Sequence, residues 1–354
     1  MLSRIFLIVC TTFVSVTNLF TQTEGAIHIA EEISQDLFES KGFPGMAVAV
    51  AQGHELLWST ELGYANIEDS VKIDVNRSLF RIGSVSKTLT AVGLMQLYQQ
   101  GKIDLDAEIQ KYVPTFPPKT YPVTVRQIAQ HVGGIRHYRG IEMLSNVHYS
   151  TVADGLMIFV DDELEYEPGT QYSYSSYGWN LISATMETAS GQNFLLYMQE
   201  HVFIPAGMKH TFPDDATSKM TNRVTFYEKG KMLSPQVDNS YKWAGGGFLS
   251  TAMDLVLFSQ AILDNTLITE TSKDIALQTV TLPNGNQTNR GIGFEIGEDS
   301  KGRAWIGHGG GSVGGTTMLI IYAEQELIVV VLVNQSNASV RNIALNIADV
   351  FLDE

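Results

Sequence analysis

Apolar residues recur along this chain with two different periods. Between residues 26 and 41, Ile29, Ile33 and Leu37 return every fourth position and Gly42 follows, which predicts an amphipathic helix with a stop signal. The stretch GMAVAVAQGHELLWSTELGYAN (45–66) places two apolar runs around Gln52-Gly53 and predicts a β-hairpin. A helix then opens at Ser84 and ends near Gly101. Leu89, Val92, Leu94, Met95, Leu97 and Tyr98 surround it on nearly every side, the mark of a buried helix. Short helices and loops fill the middle to about residue 250. Near the C-terminal end, TTMLIIYAEQELIVVVLVNQ predicts two strands about a tight turn at Glu324-Gln325, and Ile343, Ile347 and Val350 share one face of a last helix. Strands thus stand at both ends of the chain with helical matter between them. An α+β fold follows, in which both hairpins share one antiparallel sheet flanked by the terminal helices.

A length of 354 residues favours one large domain or two intimate lobes. With 44% hydrophobic and 17% charged residues, the chain is globular in type. The net charge of −15, without a Lys/Arg cluster, argues against nucleic acid as partner. One Arg precedes an uncharged, mostly apolar run from Ile5 to Phe20. This predicts a signal peptide over 1–22, cleaved between Gln22 and Ala26, with no membrane span in the mature chain. The single cysteine, Cys10, lies inside that run, so the mature chain has no disulfide, no Cys-ligated zinc and no thiol catalysis. Sequons at Asn76, Asn286, Asn334 and Asn337 fit an exported glycoprotein, in the secretory pathway or outside the cell. No convincing metal-ligand spacing occurs among the eight histidines.

Three stretches carry candidate chemistry. Ser84 and Lys87 lie about one turn apart on a helix face. A serine hydroxyl is a weak nucleophile that needs a base, and a lysine serves as one when burial strips its proton. The plain alternative is a helix-capping Ser84 and a solvated Lys87. Next, EPGTQYSYSSYGWN (167–180) puts Tyr174 after a Pro-Gly turn, where a phenol beside an amine can carry protons, its pKa drawn down by that amine. Its alternative is a packing aromatic. Third, WIGHGGGSVGG (305–315) ends a strand in glycines that let the backbone approach a substrate, and a backbone N–H there can pair with that of Ser84 as an oxyanion hole. His308 can bind substrate; the alternative is a surface histidine beside a bulge. The GGSVG match to a nucleophile elbow at 310–314 fails, because a strand follows and no histidine comes after His308. The dinucleotide-fingerprint match at 309–314 fails for want of a following helix.

The ordered set resembles the serine β-lactamase and penicillin-binding protein superfamily. It stands closest to the class C β-lactamase and peptidase family S12 branch, which has a mitochondrial serine β-lactamase-like group in animals. The resemblance rests on RIGSVSK (81–87), GKIDLD (101–106), HVGGIRHY (131–138), PGTQYSYSSYGW (168–179), VDNSYKWAGGGFLST (237–251) and GHGGGSVGG (307–315). It implies one catalytic domain over 23–354. A sheet lobe covers about 26–80 and 285–354, and an inserted all-helical lobe about 84–250. It further implies Ser84 as the acylated nucleophile, Lys87 as its base and Tyr174 as proton carrier, with oxyanion-hole N–H groups from Ser84 and Gly311. Ser176, His308, Gly309 and Gly310 would bind substrate. Ser176 stands where β-lactamases carry Asn, and His308 where they carry a lysine that pairs with the β-lactam carboxylate. Peptide or ester hydrolysis therefore fits better than efficient β-lactam hydrolysis. Val132-Gly133-Gly134 replaces a more usual Thr-Ser-Gly. The expected enzyme is a cofactor-free serine hydrolase, with homo-oligomer formation left open. Its rivals are a catalytically silent binding or assembly protein on the same fold, and a lipid-ester hydrolase. The family's mitochondrial group offers the mitochondrion as the alternative location.

Overall fold

A computed structural model of the chain describes residues 24–353. The signal-peptide expectation over 1–22, with Cys10, lies outside them. Residues 24–41 are helical, and Gly42 ends the helix with φ +63°, a conformation that glycine reaches without strain. Both predicted hairpins form, and they join. Seven strands follow in the spatial order Val71–Lys72, Glu55–Asn66, Gly45–Gln52, Leu327–Val333, Gly315–Tyr322, Ala304–Ser312 and Glu295–Glu298. The first and last hairpins meet antiparallel at the centre, with Met46 opposite Val333 and Gln52 opposite Leu327.

The central strand LIVVVLV is buried at every position. Side chains of a strand alternate between faces, so a continuous apolar run means that both faces are covered. On one face Val329, Val331 and Val333 join Met46, Val48 and Val50 under the 24–41 helix and the C-terminal helix Arg341–Leu352. On the other, Ile328, Val330 and Leu332 meet Ala47, Ala49 and the inserted lobe. Ile343 and Ile347 of the last helix are buried as expected; Val350 is only half-buried, and Phe351 takes the inward place.

The inserted lobe is mainly helical and also carries strands. Phe80–Arg81 pairs with Phe248–Ser250, which also pairs with Phe212–Pro213, and Tyr227–Glu228 pairs with Met232–Leu233. Helical matter also continues past residue 250: the helix Ala252–Leu263 packs against Gly45–Gln52 and Leu327–Val333. The predicted helix after Ser84 spans Val85–Gln99 and is buried from Val85 to Leu97. It lies between the sheet and the rest of the lobe, so its first turn opens where the two meet. Of the four sequons, Asn334 is buried and its Nδ2 donates to the carbonyls of Tyr64 and Thr225, which removes it as a glycan site in the folded chain. Asn76, Asn286 and Asn337 are exposed.

Candidate active site

Ser84 is delivered by a tight approach of two backbones. Gly83, at φ +50°, touches the Ala304–Ser312 strand so closely that a Cβ there would stand 2.6 Å from the nitrogen of Gly311. Ser84 occupies the cap position of the helix Val85–Gln99, yet its hydroxyl makes no capping bond. Instead Ser84 Oγ accepts from Lys87 Nζ at 3.2 Å and from the Tyr174 hydroxyl at 2.7 Å. Lys87 has no exposed surface. Its amine also donates to Ser176 Oγ at 2.9 Å and to the carbonyl of Gly245. None of these partners is a carboxylate. Burial drives the Lys87 pKa well below its ordinary value, with the cations of Arg290 and Lys242 adding to the effect. A solvated lysine beside a capping serine is therefore not what the chain builds.

Tyr174 stacks on His131 with ring centres 4.3 Å apart, and Lys87 Nζ lies 4.8 Å from its ring centre. Its phenol behaves otherwise than the sequence suggested. Burial pushes the pKa up, and the Ser84 hydrogen bond and Arg290 offset this only in part. A phenol that holds its proton is a donor in the resting site, not a base. The loop that carries it is fixed by backbone bonds from the 131–134 turn: Ser173 N to His131 O, Gly169 N to Val132 O and Glu165 N to Gly134 O. Gly134 has φ +74°, and a Cβ on it would stand 2.6 Å from the carbonyl oxygen of Tyr166. This close packing accounts for Gly134, the glycine that Val132-Gly133-Gly134 shares with Thr-Ser-Gly; it does not explain the change at the other two positions. His131 and His137 accept, through Nδ1, from the N–H groups of Ser175 and Ser176, both at 3.1 Å. Burial and nearby cations lower both imidazoles, His137 to about 4, so they stay neutral acceptors.

Ser84, Tyr174, Ser176 and Gly311 line one cavity of about 70 Å³ together with His137, Tyr138, Met143, Lys242, Gly245 and Gly246. Gly311 has open space where a side chain would stand. The other candidates of the strand are placed differently. A Cβ on Gly310 would meet the carbonyl oxygen of Ile82 at 2.0 Å, so that glycine admits the Ser84 segment and not a substrate. Gly309 and Gly310 line a separate cavity of about 390 Å³ with Arg341 and Thr317. His308 is buried, not a surface residue, and does not line the Ser84 cavity. Its Nε2 faces Arg290 Nη1 at 3.3 Å and its Nδ1 faces the carbonyl of Gly309 at 2.6 Å, which makes Nδ1 the protonated nitrogen. Burial and Arg290 keep the ring neutral. Larger clefts of about 530 Å³ beside Phe203 and about 470 Å³ beside Arg81 exist, but neither brings a nucleophile to a base.

Sequence reasoning missed His131, His137, Tyr138, Lys242 and Arg290. They come from loops, and no spacing ties them to Ser84. His131, His137, Tyr138 and Lys242 do stand inside stretches that carried the resemblance, the one signal that pointed their way, and Arg290 does not.

A family model named Beta-lactamase matches residues 29–352 of this chain, the stretch that contains the Ser–Lys–Tyr cluster. The chain belongs to the β-lactamase family. Members of this family are serine hydrolases. The human serine β-lactamase-like protein LACTB, mitochondrial, is 33% identical over 311 residues, covering 67% of this chain and 56% of its own length. The chain thus spans little more than half of that relative. Penicillin-binding protein 4* of Bacillus subtilis is 27% identical over 326 residues, covering 85% of this chain and 71% of its own. Among solved structures, the octameric penicillin-binding protein homologue from Pyrococcus abyssi superposes with a TM-score of 0.82 at 23% identity, over 93% of this chain and 78% of that one. At that identity the match speaks for the fold. No helix among the described residues is long and apolar enough to cross a membrane.

Proposed function

We propose that this β-lactamase-family chain hydrolyses peptide or ester substrates through an acyl-enzyme on Ser84. The observation that carries the reading is the company of Lys87. Its amine is fully buried among neutral acceptors, Ser84 Oγ, Ser176 Oγ and Gly245 O. In the neutral amine two N–H groups remain for Ser176 and Gly245, and the lone pair points to the Ser84 hydroxyl. That proton passes to Lys87 as Ser84 Oγ bonds to the substrate carbonyl carbon. Backbone N–H groups of Ser84 and Gly311, whose segments meet at the Gly83 contact, would hold the oxyanion. Tyr174 donates to the leaving group and is reprotonated from Lys87. Water then resolves the ester by the same path reversed. Ser176 contributes by holding the lysine, and His308 by fixing Arg290 beside Tyr174. A relative from Gluconobacter oxydans named D-aminopeptidase, 28% identical over 307 residues, supports amide substrates.

A fluorophosphonate probe followed by mass spectrometry of the labelled peptide tests the reading. Label is expected on Ser84 alone, and Ser84→Ala should lose both label and at least about 1,000-fold in turnover while staying folded. A silent binding protein would take no label, and label persisting in the alanine variant would move the nucleophile elsewhere.

A further inference from the structure

Lys242 is the cation of the cavity that this chemistry leaves unused. It ends the short turn Ser240–Lys242 before the helical turn Trp243–Gly246. It is 3% exposed and lines the same 70 Å³ cavity as Ser84. Unlike Lys87, its amine has no hydrogen-bond acceptor and no ion-pair partner among the described residues. It lies instead over the faces of Tyr138 at 5.4 Å and Tyr241 at 5.1 Å. The carboxylate that bears on it, Asp214, is taken by Arg81 Nε and Asn239 Nδ2, both at 2.6 Å.

An ammonium that borders a small cavity and has no acceptor on the protein is costly, and two aromatic faces repay only part of that cost. Completion of such a site asks for an anion. The cavity offers Lys242 no rival, since its other titratable lining groups are two phenols and a neutral imidazole. His308, outside this lining, is neutral, with both nitrogens engaged inside the protein.

Resting on the reading of Ser84 as nucleophile, we propose that Lys242 receives a carboxylate of the substrate on its helical-lobe side and so makes acidic acyl compounds the preferred class. The anion would meet the part of the lining that Tyr138, Met143 and Lys242 supply, in the same cavity as Ser84 and Gly311. A volume near 70 Å³ admits a carboxylate on a thin stem and no bulky group beside it. Burial lowers the Lys242 pKa to about 7, with Arg81 adding to the shift and Asp214 opposing it. The groups facing it hold their states near that pH. Tyr138 and Tyr241 are pushed up by burial and remain phenols, His137 stays neutral above about 4, and Arg81 is a fixed cation paired with Asp214. Lys87 also titrates, but it acts on every substrate alike.

The test compares mono-p-nitrophenyl adipate with its neutral methyl ester as substrates of the full chain. The ratio of their kcat/KM values is read at pH 6 and pH 8.5 for the wild type, Lys242→Met and Lys242→Arg. Methionine keeps the apolar stem, and thermal melts check that both variants fold. The wild type should favour the anionic ester about tenfold or more at pH 6, the usual worth of a charge-assisted hydrogen bond. That preference should fall as pH rises through about 7 and the ammonium is lost. The methionine variant should lose it, and the arginine variant should keep it at both pH values. Binding of monomethyl adipate by calorimetry needs no turnover and should show the same order. No anionic preference in the wild type, or its survival in Lys242→Met, overturns the proposal. Failure of the nucleophile reading shows separately, as both esters left unhydrolysed while calorimetry still reports on Lys242.

Discussion

Arg81 and Lys87 lie close in the chain and both are buried, yet they are handled in opposite ways. Arg81 sends Nε to Asp214 at 2.6 Å and Nη1 to the carbonyl of Val313 at 2.8 Å, with its guanidinium over the ring of Phe226. Its charge is matched and permanent. Lys87 meets only neutral oxygens, and two further cations bear on it. A buried ion pair fixes structure, because removing one partner strands the other. A buried amine among neutral acceptors can give up its proton at little cost. The chain thus places its structural cation on the strand before Gly83 and its chemical one on the helix after it.

Replacement of Lys87 should break this contrast most visibly. Lys87→Arg and Lys87→Met should each slow acylation by an activated neutral ester about a hundred-fold or more, because neither offers a lone pair. A structural cation would be rescued by arginine and not by methionine. Near-wild-type acylation by the arginine variant would take the base role away from Lys87.

Stability should divide the pair the other way. Arg81→Met leaves Asp214 buried against one amide donor and the more distant Arg223, and should cost about 3–5 kcal/mol in urea denaturation. Lys87→Met removes a desolvated amine and leaves two hydroxyls and a carbonyl short of a donor, about 1–2 kcal/mol. Equal losses would mean that Lys87 is held as a charge after all.

The pH dependence of stability sharpens the comparison further. The folded pKa of Lys87 lies below its unfolded value, so between the two the unfolded chain binds the extra proton. Stability from this group therefore rises with pH across that window up to about 10.5, the ordinary lysine value, and Lys87→Met should flatten the rise. Arg81→Met should leave the slope there unchanged. A wild-type slope of opposite sign would show a charged Lys87 in the native state.

The smallest effect concerns the surface. In a secreting host, peptide mapping should find glycan at Asn76, Asn286 or Asn337 and none at Asn334, whose amide is held by two carbonyls. Glycan on Asn334 would require that it be added before the central strands close.

The legible parts of this molecule are those set by neighbours in sequence. Alternation in GMAVAVAQ and the unbroken apolar run LIVVVLV mark strands because successive side chains point to opposite faces. The spacing of Ser84 and Lys87 put them on one face of a helix whatever surrounded it. The ordered motifs then carried Tyr174, Ser176 and Gly311 to the same cavity. His308 and the glycines beside it were harder to read. Gly310 makes room for Ile82 and His308 turns both nitrogens inward, and neither fact has a local cause.

Local periodicity, the Ser–Lys spacing and the near-absence of cysteine belong to the sequence itself, since they depend on groups a few bonds apart. The state of each ionisable group belongs to the tertiary structure. Lys87 is a base candidate because Ser176 and Gly245, distant in the chain, close over it with neutral oxygens. Arg81 is a strut because Asp214 arrives from another segment. Desolvation and partner choice are properties of the space around a group, and folding alone fills that space.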